Sequence, residues 1–478
     1  MTSNYIACCI YGGDITIAGG KVTASGSTGI YAQYNNNGGN VTIKNATVTA
    51  TASNDAIRSN NGDITIDNSN VTATRTGNGN YRAFYSEGGG NIIFRNGGKT
   101  RTERGIYCEG DVTIEGGQVE IYGRIMTINI TLGWTNPTDY IYADSYFNMN
   151  GTTSIADGKT FIDEDGNTYS GTIAHESDGA YPIDGKTLYP NCVVRKQVEG
   201  YGEGNGGWVF IASPVAGSIA PSEVHNLFPS AGETSNEYDL YRFNQSDANG
   251  NEWQNWKATT TENHPDFTTL VNGQGYLDAS REDRTLVFAG EYTAATEPVE
   301  VQLDYNANAQ LKGWNLVGNP FTTQATMTDR NGQPVSFYVI NGQNVVPYEG
   351  SATIEPCTGV MVKAEGTGEK VRFTSVSPDQ APQPNKGSLQ IALSQVTSSL
   401  RGTKQSSTLD NAIVSFNEGS KLSKFYFGTQ NANIYIPQGQ EEYAIAFSES
   451  QGEMPLNFKA EENGTYTLTV STTLNSQL

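Results

Sequence analysis

Histidine is almost missing from this chain: His175, His225 and His264 are the three among 478 residues. None has a second histidine at metal-ligand spacing, and all fall in expected loops. A zinc centre or a Ser-His-Asp mechanism has little to be built from. Cysteine is sparse as well. Cys8, Cys9, Cys108, Cys192 and Cys357 form no CxxC pair, and an odd, scattered set is no disulfide scaffold. They read as free, buried thiols. Basic residues are outnumbered, 29 Lys and Arg against 50 Asp and Glu, giving a net charge of −21. Such a surface repels phosphate backbones and anionic headgroups, so nucleic acid is excluded as a partner. No apolar run approaches the roughly 20 residues of a spanning helix. No helical period persists anywhere, and the chain reads as all-β.

What the chain does have is a repeat. Five triplets, Ile15-Thr16-Ile17, Val41-Thr42-Ile43, Ile64-Thr65-Ile66, Ile92-Ile93-Phe94 and Val112-Thr113-Ile114, each precede a second triplet by the same offset of seven. The second set is Val22-Thr23-Ala24, Val48-Thr49-Ala50, Val71-Thr72-Ala73, the polar Lys99-Thr100-Arg101, and Val119-Glu120-Ile121. A constant offset with variable spacing between copies means fixed strands joined by an elastic loop. That pattern belongs to a β-solenoid, whose coils bury a core only by stacking. Ile30-Tyr31, Ile57-Arg58, Phe84-Tyr85 and Ile106-Tyr107 supply a third strand, and Ile10-Tyr11 reads as the same element of an incomplete first coil. Period-2 alternation turns Ile15, Ile17, Val22 and Ala24 inward and Thr16 and Thr23 outward. The expected fold is a right-handed parallel β-helix followed by antiparallel β-sandwich-like domains.

Four regions follow from composition: the β-helix over 1–130, a β-rich capping segment over 131–190, a duplicated β-sandwich-like domain over 191–376, and a C-terminal β domain over 387–478. In the second, Lys159–Ile162 and Thr168–Ile173 read as a hairpin. In the third, Gly207-Trp208 through Pro214 matches Gly313-Trp314 through Pro320. Gly275–Ala279 with Leu286–Phe288 likewise matches Gly359–Ala364 with Val371–Phe373. Two such halves are expected to pack their apolar faces together. A Gly-rich joint at 200–207 and a Pro-bearing linker at 377–384 separate the regions. The C-terminal strands are expected to include Lys424–Phe427, Ile434–Ile436, Tyr443–Phe447 and Tyr466–Val470.

Three constellations carry possible chemistry. Asp14, Asn40, Asp63, Asn91 and Asp111 recur at the turn before the first triplet. Their side chains can satisfy turn N–H groups; alternatively some, with Asp55 or Asp67, ligate Ca²⁺, and Asp55 and Asp63 are the metal candidates. Asp163–Asn167 and Asp247–Asn251 imitate calcium loops but lack the twelfth-position Glu, and read as hairpin turns. The third constellation is aromatic. Tyr11, Tyr31, Arg58, Tyr85 and Tyr107 follow the inward residues of the third strand and should form an outward stripe, one residue per coil. Stacked rings and a guanidinium can hold a sugar chain, or the stripe can be a solenoid ladder without a ligand.

On Gly-Asp-Ile-Thr-Ile, Val-Thr-Ala and Asp-Ala-Ile-Arg, residues 10–123 resemble the β-helical carbohydrate-binding domains of bacterial surface proteins. That resemblance implies binding of acidic plant polysaccharide with calcium. On Gly207–Pro214, Gly313–Phe321 and Met454–Tyr466, residues 191–478 resemble the tails of large secreted surface proteins of the Bacteroidota. It implies export toward a sorting domain. Met1–Ile10 lacks the features of a signal peptide, yet the chain opens in mid-repeat and is read as a piece that has lost both ends. The expectation is an extracellular or cell-surface glycan-binding protein, a monomer that is not an enzyme and requires no cofactor, with host or plant polysaccharide as partner and without a membrane span. A polysaccharide lyase and a non-binding stalk are the alternatives.

Overall fold

The computed structural model describes residues 6–472, apart from 34–38, 80–81, 135, 137, 149–151, 164–165, 175–184, 191–192, 203–206, 230, 248–251, 258–265, 343, 377–386, 399–403, 428–431 and 449–452. His175, His264, Cys192, the 377–384 linker and most of the Gly-rich joint lie outside the described residues. The chain is all-β. It forms two compact units, 1–193 and 194–478.

A parallel β-solenoid of about six turns occupies residues 6–155. Its three ladders follow the repeat. First triplets pair Ile15↔Val41, Val41↔Ile64, Ile64↔Ile92, Ile92↔Val112 and Val112↔Ile130. The third strands pair Cys8↔Ile30, Ile30↔Ile57, Ile57↔Phe84 and Phe84↔Ile106. Ile15, Val41, Ile64, Ile92 and Val112 are all 4% exposed or less and belong to one continuous core. Each coil offers only a few Ile and Val side chains, so stacking is what takes them out of water.

The second ladder departs from the repeat once. Val71 pairs with Thr100, not Lys99, so the offset in the fourth coil is eight. Gly97 and Gly98, both at positive φ, absorb the extra residue at the corner. Gly98 passes so close to Ser69 that an added Cβ would lie 2.3 Å from the Ser69 carbonyl oxygen. The inward pair of that coil is therefore Thr100 and Thr102, 3% and 0% exposed. Outside, Thr23, Thr49 and Thr72 form the expected threonine row, which Arg101, Glu120 and Tyr142 continue.

Parallel stacking continues beyond residue 130. Ile130–Leu132 and Thr152–Ile155 extend the first ladder, and Tyr140–Asn148 extends the other two. Gln118–Thr127 is one strand that serves two ladders, bending at Gly123. The hairpin of Phe161–Ile162 and Thr168–Tyr169 is present. Phe161 joins the solenoid core beside Trp134, with ring centres 4.2 Å apart. Asp163 organises its turn, accepting hydrogen bonds from the Asn167 backbone at 2.8 Å and from Asn167 Nδ2, Tyr169 Oη and Lys186 Nζ at 2.9 Å each.

In the second unit the duplication holds residue by residue. Val209 pairs with Asp278 and Ala212 with Gly275; 106 and 84 residues later, Asn315 pairs with Val362 and Gly318 with Gly359. The flanking pair repeats too, Val194↔Phe288 and Val299↔Phe373. The halves do not close face to face. They join edge to edge through Trp208↔Gly342 and Val209↔Asn341, and each half has its own core. The reason lies in strands such as Gly275–Ser280, buried at every position. A strand buried on both sides must be covered on both. The second covering comes from the C-terminal strands: Phe210, Leu277, Leu316 and Met361 meet Ile413, Leu422, Phe425 and Ile445.

Those C-terminal strands curl into a half-barrel. Tyr466–Thr472 pairs with Ser388–Ser398, but Lys424–Phe427 is not a strand. The Tyr338 hydroxyl replaces a neighbouring strand there, donating to the Ser423 carbonyl at 3.0 Å and accepting the Phe425 N–H at 3.2 Å.

Candidate functional site

Register decides which side chains share the third face of the solenoid. Cys9, Tyr31, Arg58, Tyr85, Tyr107 and Met126 stand in one column. Tyr11 does not. It lies opposite Gln33, and it is 72% exposed. Its strand begins at Ile6, which places Cys8 at the inward position expected for Ile10; Ile10 stands two residues further on, opposite Ala32, and is 39% exposed.

The column is graded in exposure. Tyr31 is buried, at 8%, whereas Tyr85 and Tyr107 are half-buried. Arg58 lies between the first two rings, its guanidinium carbon 5.0 Å from the Tyr31 ring centre and 4.8 Å from that of Tyr85. Its nitrogens donate to Asp55 at 3.3 Å, Glu87 at 2.5 Å and Asn60 at 3.3 Å. This arginine is therefore committed within the protein. Tyr85 and Tyr107 meet edge to face, 5.0 Å apart at 83°. Burial pushes the Tyr85 phenol up to about 12, and burial with Glu109 pushes that of Tyr107 up, so both are neutral hydroxyls at physiological pH. Arg82 adjoins the far end of the column, with a guanidinium nitrogen 3.3 Å from Met126 Sδ. Burial, then the nearby charges of Arg124 and Arg75, lower its pKa.

The metal candidates have separate occupations. The Asp55 side chain has no exposed surface. Burial pushes its carboxyl up, opposed by the Arg82 backbone N–H at 3.0 Å and by Arg58. Asp63 belongs to the turn ladder: its Oδ1 accepts the Asn91 backbone N–H at 2.8 Å and Asn91 Nδ2 at 3.1 Å. The same link joins Asn40 to Asp14, Asp63 to Asn40 and Asp111 to Asn91. Asp67 is held by Arg95 at 2.9 Å and Asn96 at 2.8 Å. Among the described residues, no group of three His, Cys, Asp or Glu converges as a metal site needs. Of the two calcium-loop imitations, Asp163 serves its hairpin turn, and residues 248–251 of the other lie outside the described residues.

A second aromatic group on the neighbouring face escaped the sequence reading. Tyr122 and Tyr142 lie 5.4 Å apart at 50°, with the Arg101 guanidinium 4.2 Å from the Tyr122 ring centre. Tyr140 Oη and Lys99 Nζ converge on Glu120 at 2.7 and 2.8 Å. Alternation alone would have turned Tyr122 outward beside Ile121. In the second unit, a cavity of about 830 Å³ has Lys196 and Glu349 on its walls. Lys196 Nζ donates to Thr358 Oγ1 at 2.9 Å, and Glu349 accepts from Ser415 and Asn417, so its charged groups are already engaged. Compared with known protein families, curated proteins and solved structures, the chain matches none of them.

Proposed function

We propose that this chain is an extracellular, surface-associated binding protein that holds glycan along the third face of its solenoid. The reading rests on one observation: Tyr85 and Tyr107 are half-buried rings in register on adjacent coils, in a column where Tyr31 is buried. Half-buried tyrosines offer apolar ring area and a hydroxyl at fixed spacing, which suits a polymer of sugar units. The resemblance of residues 10–123 to β-helical carbohydrate-binding domains points the same way, and that of residues 191–478 to Bacteroidota surface proteins supports export. The carboxylates of an acidic glycan would meet Arg82, which stands beside Met126 of the column. Calcium is not required by this reading.

The stalk reading has its own support, since buried Tyr31 and paired Arg58 are what a purely internal ladder would show. No observation favours the lyase. Affinity electrophoresis through neutral and acidic polysaccharides, with and without calcium, separates the binding and stalk readings. Retention that Tyr85→Ala plus Tyr107→Ala weakens supports binding along this face; a wild type that no polysaccharide retains leaves the stalk.

A further inference from the structure

Asp410 and Lys424 form a buried pair in the C-terminal half-barrel, each side chain 2% exposed. A bulge puts the acid there. Leu393 pairs with Asp410 and Ser394 with Thr408, so Leu409 is an extra residue in its strand. Bulges re-aim side chains, and this one turns Asp410 into the barrel. Lys424 is fixed from both ends of its own backbone. Its N–H donates to the Glu442 carbonyl at 2.8 Å, and the flanking Ser423 and Phe425 are both bonded to the Tyr338 hydroxyl.

The geometry at the contact is close. Lys424 Nζ lies 2.5 Å from both carboxylate oxygens of Asp410. The Asn411 N–H donates to Oδ1 and the Ile434 N–H to Oδ2, each at 2.8 Å. Leu422, Phe425, Ile434 and Ile445 are buried in the two cores that meet here. Two opposite charges buried away from solvent are costly to keep, and a proton transfer that neutralises both relieves the cost. Burial itself pushes the Lys424 ammonium down, against the pull of Asp410.

We infer that Lys424 and Asp410 condense, once the domain has folded, into an amide cross-link between Nζ and Cγ. The ammonium gives one proton to the carboxylate, leaving a neutral amine and a carboxylic acid. The nitrogen lone pair attacks Cγ, and the C=O π pair moves onto an oxygen that faces a backbone N–H of Asn411 or Ile434. Those N–H groups stabilise the developing oxyanion. A second proton passes from nitrogen to the hydroxyl oxygen, the C–O bond breaks, and one water leaves. No oxidant, metal or external donor enters the balance. Fixed proximity supplies what an intermolecular reaction between the same groups would lack.

The test is the intact mass of the full chain under denaturing conditions, followed by peptide mapping. The expected result is a wild-type mass lower than that of the sequence by one water. Mapping should yield a branched peptide joining the segments around Asp410 and Lys424. Lys424→Arg and Asp410→Ala should each show the full mass of its own sequence. A wild-type mass equal to that of the sequence overturns the cross-link and leaves a buried ion pair. A water loss mapped elsewhere, such as ring closure at Asp165-Gly166, overturns it equally. The wild-type mass and map decide between these outcomes by themselves, so a variant that fails to fold leaves the test intact.

Discussion

Trp208 and Trp314 hold one place in two copies of the same strand pair, yet their surroundings differ. Trp314 is 5% exposed and packs on Phe425 and Tyr338, with ring centres 4.8 and 5.9 Å away. Trp208 is half-buried and meets Tyr241 at 5.9 Å. Only the second copy has its tryptophan sealed beneath the C-terminal strands. Trp314→Ala should therefore cost about 3–5 kcal/mol, and Trp208→Ala about 1–2 kcal/mol. Urea unfolding followed by tryptophan-independent circular dichroism measures both. Equal losses would refute this difference in burial.

The turn ladder predicts a large effect from a small surface residue. Asp63→Ala removes the acceptor for two Asn91 donors and should destabilise the solenoid by about 1–3 kcal/mol. Thr65→Ala, two residues away on the outward row, should stay within about 0.5 kcal/mol of wild type. Thermal melts of the two variants decide it; similar midpoints would mean that the ladder is decorative.

Asp163 should make the solenoid's end acid-sensitive. Burial raises its pKa, but hydrogen bonds from Asn167, Lys186 and Tyr169 outweigh that and hold the carboxyl well below its ordinary 3.8. A depressed carboxyl contributes stability that is present above the unfolded value and lost as pH falls through the folded one. Asp163→Asn should thus be less stable than wild type at pH 7, and the gap should shrink only below about pH 4. Melting temperatures taken from pH 7 to 3 would show it. A gap that is constant to pH 3 would count against the turn's charge.

Arg58 and the half-buried tyrosines should separate cleanly. Arg58→Ala leaves Asp55 buried without its cation and should cost about 3–5 kcal/mol, part of which Asp55→Asn in the same chain recovers. Tyr85→Ala and Tyr107→Ala should each weaken glycan retention by about 0.5–1.5 kcal/mol while the melting midpoint moves little. If the tyrosine variants lose stability as Arg58→Ala does, the column is structural along its whole length.

The solenoid was legible because each coil states its inward pattern locally, in triplets such as Val41-Thr42-Ile43. Where reading failed, the missing information was a register set by another coil. Lys99 looked like the start of a triplet until Gly97 and Gly98 absorbed one residue and Thr100 took its place. Tyr11 looked equivalent to Tyr31 because Ile10-Tyr11 repeats Ile30-Tyr31 in letters, although Cys9 occupies that rung. Arg58 looked available for a ligand because its partner Glu87 lies 29 residues downstream. In the second unit the duplicated strands were visible, but their edge-to-edge joint was not. Nothing local in Trp208-Val209 names Asn341 and Gly342 as neighbours.

The order of Asp and Asn in the turn ladder has a consequence for how this repeat can change. Carboxylates at Asp14, Asp63 and Asp111 alternate with amides at Asn40, Asn91 and Asn129. Coils stand about 4.8 Å apart, so like charges are separated by roughly 10 Å, near the screening length of dilute salt. Asparagine continues the column without adding charge because it can both accept and donate. Deleting a coil that carries Asn40 or Asn91 would bring two carboxylates onto neighbouring rungs; deleting two adjacent coils would not. An amide-bearing coil is therefore lost without like-charge contact only together with a neighbour, and deletions of two turns keep the alternation whichever coil they start from.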